Sequence, residues 1–77
     1  MKKVIIYSTP SCVYCKVAKD WLENNSIAFT EYDLARDTDK RDEMIKKTGQ
    51  MAVPVFDIDG EIIIGFDKNK ISQILGI

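Results

Sequence analysis

The residues able to do chemistry lie in one stretch, residues 8–23, "STPSCVYCKVAKDWLE". Cys12 and Cys15 are the chain's only two cysteines. They are separated by two residues, follow a strand-like run and open an amphipathic run. At a helix start, backbone N–H groups lack partners inside the helix, and together with the helix dipole they favour an anion. The thiolate is the reactive form of cysteine, and such placement lowers a thiol pKa from about 8.5 into the range of about 3.5 to 7.5. One turn further on, Cys15 should lie deeper and be less activated. The expected division of labour is that Cys12 attacks a disulfide and Cys15 resolves the mixed disulfide by attacking Cys12. Lys16 is a candidate for added positive charge.

Other uses of the pair have weaker support. A buried cysteine is often only a small hydrophobe, but the CxxC spacing after a strand points to redox work. Structural zinc takes four protein ligands, and this chain has no histidine and no further cysteine. An iron–sulfur cluster shared between two chains, or a redox sensor without turnover, is the rival of another class. A bridge across two residues closes too small a loop to serve as a structural staple.

The whole chain sets bounds. Its 77 residues are read as one domain, spanning 1–77, with a formal net charge of −1. That balance argues against nucleic acid or an anionic membrane as partner. No signal-peptide core or membrane-length apolar run is present. We therefore expect a cytoplasmic protein, where thiols are kept reduced, acting as a monomer.

The cysteines need elements to position them. Lys3 to Tyr7 has the continuous apolarity of a buried strand. From Cys12, the residues Tyr14, Val17, Ala18, Trp21 and Leu22 follow the period of a helix with one apolar face, and Asn24-Asn25 can end it in a left-handed conformation. Ala28 to Asp33 reads as a second strand. Asp37, Thr38 or Asp39 can cap a second helix running to Lys47, with Gly49 past its end. Its sparse apolar content predicts a surface helix. Val53 to Ile58 and Glu61 to Ile64 read as a hairpin around Asp59-Gly60. Asp67 or Asn69 caps a last helix carrying Ile71, Ile74 and Leu75, with Gly76 behind it. The fold class is α/β, in the order β-α-β-α-β-β-α. The first two strands should be parallel.

A second signal is "QMAVPVFDIDG". Pro54 at a strand start lacks an N–H to contribute and holds Val53 extended. The backbone at Val53 is thus able to pair with an extended substrate. The residues alone leave the Val53–Pro54 bond open between cis and trans.

"CVYC" near the N-terminus, "AVP" before a hairpin and "GFD" before a last helix, in this order, resemble a glutaredoxin over essentially the whole chain. "RDEMIKKTG" is similar to the second helix of small bacterial members. The resemblance implies a thioredoxin-like fold, a four-stranded mixed sheet with helices on both faces. It also implies a cis Val53–Pro54 bond opposite the CxxC. By the same match, Val53 offers main-chain groups to glutathione, Tyr14 flanks the mixed disulfide, and Gly65, Phe66 and Asp67 meet the γ-glutamyl end. For Phe66, anchoring the last helix is an equal alternative. Glutathione is then the co-substrate, with no metal and no bound cofactor. The partners are proteins with exposed disulfides or glutathione mixed disulfides.

Three positions depart from the family pattern. Val13 stands where proline is typical, Thr9 where lysine or arginine is frequent, and Ile64-Gly65 where the family has Gly-Gly. A single glycine followed by phenylalanine also resembles the small redoxins that serve ribonucleotide reductase and are recharged by thioredoxin reductase. We expect a glutathione-linked thiol-disulfide oxidoreductase, with that redoxin activity as the alternative.

Overall fold

A computed structural model describes residues 3–77. Met1 and Lys2, part of the expected domain span, lie outside the described residues. The elements are β1 (Val4–Ser8), α1 (Val13–Asn24), β2 (Thr30–Asp33), α2 (Thr38–Thr48), β3 (Val55–Ile58), β4 (Glu61–Ile64) and α3 (Lys68–Leu75). They form one four-stranded sheet in the order β2-β1-β3-β4. β1 and β2 run parallel, and the other two pairings are antiparallel. The order and the mixed sheet are those expected from the sequence.

Strand alternation divides the core in two. Val4, Ile6, Phe56, Ile58 and Ile63 face α1 and α3, where they bury Ala18, Leu22 and Ile71. Tyr7 and Val55 face the other way, packing with Leu34 and with Met44 of α2. Met44 is the only fully buried residue of α2, which is the surface helix that its composition predicts.

Several boundaries differ from expectation. β2 starts at Thr30, not Ala28, because pairing with β1 begins at Ile5 opposite Thr30. Ile27 and Phe29 pack against the core from the connection instead. β3 starts at Val55, not Val53, since ladder pairing begins with Tyr7 opposite Val55 and Pro54 has no N–H to donate. Asn25 ends α1 with φ −96, not in the left-handed region. Its side-chain Nδ2 donates to the Trp21 carbonyl at 2.8 Å, and Ser26 takes the positive φ of 57°. Of the candidate caps, Asp37 serves α2 and Asp67 serves α3, each accepting from a backbone N–H three residues on.

On the α2 face, Asp57 is a buried carboxylate. It accepts from Lys47 Nζ at 2.8 Å and from the Gly60 N–H at 2.9 Å. Lys47 also donates to the Tyr7 hydroxyl at 3.0 Å. Burial pushes the Asp57 carboxyl up, but the bonds from Lys47 and Gly60 outweigh it and hold the group below its usual range. A depressed carboxyl stabilises the fold above its unfolded pKa, about 3.9, and loses that contribution as pH falls through the folded value. Asp57→Asn should cost roughly 1–3 kcal/mol at neutral pH. Urea midpoints of wild type and variant should converge below about pH 4. A constant gap across that range would remove the ion pair from the explanation.

Candidate functional site

Register places the three sequence motifs at one end of the sheet. Tyr7, near the end of β1, lies opposite Val55, the first residue of β3. Val55 lies opposite Ile64, the last residue of β4. The chain therefore leaves β1 toward Cys12, enters β3 from Pro54 and leaves β4 toward Gly65, all at the same end. One bond ties two of these segments directly: the Gly65 N–H donates to the Pro54 carbonyl at 2.8 Å. Gly65 has φ +85, a left-handed conformation that favours glycine. Ile64, as a strand residue, has no such need.

Cys12 is the N-cap of α1, in an extended conformation, with Val13 the first helical residue. Its Sγ accepts the Cys15 N–H at 3.1 Å. This is the role that a serine or aspartate oxygen usually plays at a helix start, here filled by sulfur. The Cys12 N–H donates back to the Thr9 carbonyl at 3.2 Å, closing the turn between β1 and α1. Cys12 is partly exposed and Cys15 is buried, and both are free thiols.

Cys15 is strongly biased toward its neutral form. Burial pushes the thiol up to about 12, with help from its hydrogen bond to Cys12. The Thr9 backbone bond opposes the shift, Cys12 adds to it electrostatically, and Lys19 opposes it. The two cysteines thus differ in exposure and hydrogen bonding as their positions in the helix predict.

The apolar face of α1 keeps Ala18, Trp21 and Leu22 of the expected set against the core, but Tyr14 and Val17 fall outside it and Cys15 falls inside. Cys15, Ala18 and Leu22 are its buried residues, while Tyr14 is 70% exposed and Val17 is also exposed. The buried stripe obeys the same helical spacing from a different start, because the sheet meets the side that carries Cys15. Tyr14 and Val13 instead stand in solvent beside the cysteines. Val53 is partly buried against the α2-side core, and Pro54 is buried with a cis Val53–Pro54 bond. The Phe66 ring packs on Trp21, 5.9 Å between centroids, and on Phe56 at 6.4 Å. Its ring is therefore engaged with the core, which is the anchoring role. The Asp67 carboxylate caps α3 by accepting from the Lys70 N–H at 3.1 Å.

The structure also brings together Lys19, Glu31 and Ser8, which no sequence motif joins. Glu31 Oε2 accepts from Ser8 Oγ and from Lys19 Nζ, each at 2.7 Å. Lys19 first, then Ser8, hold this carboxyl below its usual range against the effect of burial. The one available signal was that Lys19 lies four residues after Cys15, on the same side of the helix. Lys16, the cation expected near the sulfurs, is exposed. A cleft of about 370 Å³ opens between α1 and β2, with Cys12, Lys16, Lys19 and Glu31 on its walls. Among the described residues, no three cysteine or acidic side chains gather as a metal site would.

A helix-capping CxxC at the strand ends of a mixed sheet, with helices on both faces, is the arrangement of a thioredoxin-fold thiol protein. The crystal structure of a mutant of the thioredoxin-like protein BC3987 superposes with a TM-score of 0.92 at 34% identity, covering 100% of this chain and 99% of that one. The glutaredoxin family model matches residues 4–63, and the chain belongs to the glutaredoxin family. An uncharacterized glutaredoxin-like 8.6 kDa protein in the rubredoxin operon of Clostridium pasteurianum is 43% identical over 70 residues, covering 91% of this chain and 93% of that protein. Glutaredoxin 3 of Escherichia coli K12 is 39% identical over 67 residues, covering 87% and 81%. The glutaredoxin-like protein NrdH of Lactococcus lactis subsp. cremoris is 31% identical over 74 residues, covering 92% and 97%. Among the described residues, no helix is long and apolar enough to cross a membrane.

Proposed function

We propose that the protein is a glutathione-linked thiol-disulfide oxidoreductase of the cytoplasm. The observation that carries this reading is the Cys12 sulfur seated as the cap of α1, accepting the Cys15 N–H at 3.1 Å. The Cys12 thiolate attacks one sulfur of a substrate disulfide. A Cys12–substrate bond forms, the substrate S–S bond breaks, and the other substrate sulfur leaves as a thiolate that takes up a proton. The Cys15 thiolate then attacks the Cys12 sulfur, releasing the second substrate thiolate and leaving a Cys12–Cys15 disulfide. Two glutathione molecules reduce that bond and leave as glutathione disulfide.

The asymmetry of the two thiols times these steps. In the resting protein Cys15 stays protonated through burial and the neighbouring Cys12 sulfur. Once Cys12 is in a mixed disulfide its sulfur carries no charge, and that part of the restraint on Cys15 is gone. Glutathione is read as lying along Val53, with Tyr14 beside the disulfide and its γ-glutamyl end at Gly65, Phe66 and Asp67. The N-terminus of α3 suits a carboxylate there. The Pro54–Gly65 hydrogen bond supports this reading, because it couples the two loops such a ligand has to span.

A second reading rests on the likeness to NrdH and on Gly65-Phe66, a single glycine followed by phenylalanine. In it, thioredoxin reductase recharges the protein and ribonucleotide reductase is a substrate. Reduction of insulin disulfides separates the two. Glutathione with glutathione reductase should sustain turnover, and thioredoxin reductase alone should not. The opposite result would transfer the protein to the second reading.

A further inference from the structure

Ser8 and Thr9, consecutive residues at the end of β1, reach two different groups. The Ser8 hydroxyl bonds Glu31, and the Thr9 backbone faces the Cys15 sulfur. Ser8 is itself buried. Glu31 reaches across from β2 to Lys19, one turn beyond Cys15 on α1. The Lys19 ammonium is thereby held over the side of the helix that carries Cys15, rather than ranging through solvent.

We propose that Lys19, held by Glu31 and Ser8, is a positioning residue that stabilises the Cys15 thiolate during resolution of the mixed disulfide. The charged and titratable groups around it are Cys12, Lys16, Asp20, Glu23 and Glu31, which line the same cleft, and Cys15 itself. Glu31 foremost, then Cys15 and Asp20, keep Lys19 protonated against the effect of burial. Of the cations on α1, Lys19 is the one whose charge opposes the upward push on Cys15. The step stays balanced without a new reactant. The Cys15 proton is released to solvent. The Cys12–Cys15 bond forms as the substrate thiolate departs from Cys12 and takes up a proton. Lys19 neither gains nor loses a proton.

The inference rests on Cys15 being the resolving thiol. The reduced protein is mixed with the Ellman disulfide, 5,5′-dithiobis(2-nitrobenzoate), and thionitrobenzoate release is followed by stopped flow across pH. The first release reports attack by Cys12, and the second reports attack by Cys15. Lys19→Met should slow the second release about two- to threefold at neutral pH and move its midpoint upward, since the rate follows the thiolate fraction. The first release should be unaltered, and Lys19→Arg should restore the second. The Lys19–Glu31 ion pair is partly exposed and contributes little to stability, so the variant should remain folded. Equal slowing of both phases, an unmoved midpoint, or failure of Lys19→Arg to restore the rate would overturn the role of Lys19. Absence of a second release in the wild type would instead overturn Cys15 as the resolving thiol.

Discussion

Cys12→Ser should reduce disulfide reduction by about 10⁴-fold or more, as removal of a nucleophile does in enzymes whose chemistry passes through it. A serine hydroxyl can still accept the Cys15 N–H, because serine is a common helix cap. The variant should therefore keep the wild-type unfolding midpoint while losing activity. This separates chemistry from stability at a position that serves both. The same asymmetry governs labelling. Below neutral pH, iodoacetamide should modify Cys12 first, since Cys15 is 1% exposed and held protonated. Preferential labelling of Cys15 would reverse the assignment of the two roles.

Cys15→Ser should divide the activities. A glutathione mixed disulfide on Cys12 can be released by a second glutathione without Cys15. Deglutathionylation of small mixed disulfides should therefore persist. Reduction of an intramolecular protein disulfide depends on rapid attack by a tethered thiol, which has an advantage over a free one. That activity should fall by roughly a hundredfold. Equal loss of both activities would mean that the one-thiol route does not operate.

The fold was largely legible because its signals are local. The β-branched run before Cys12, the Asp59-Gly60 turn and the αL glycines after α2 and α3 each report on their own neighbourhood. The order of elements follows from reading them in sequence. The extent of the apolar face of α1 was not legible in the same way. Ala18, Trp21 and Leu22 make as regular an apolar face when extended to Tyr14 and Val17 as when extended to Cys15. Helical period alone cannot say which stripe meets the sheet.

The candidate site divides along the same line. Cys12 and Cys15 were visible from type and spacing, because a two-residue gap at a helix start is a local geometry. The Ser8–Glu31–Lys19 network was not, because its members come from β1, β2 and α1, with Ser8 and Glu31 23 residues apart. The strand register brings them together. The sequence picks out the two candidate thiols and where the helix starts, since both depend on residues within one turn. The tertiary structure decides which side of α1 is buried, that the Phe66 ring packs into the core, and which lysine stands near Cys15. Each of these depends on how strands and helices distant in sequence pack, and pairing across the sheet is not encoded in any single stretch.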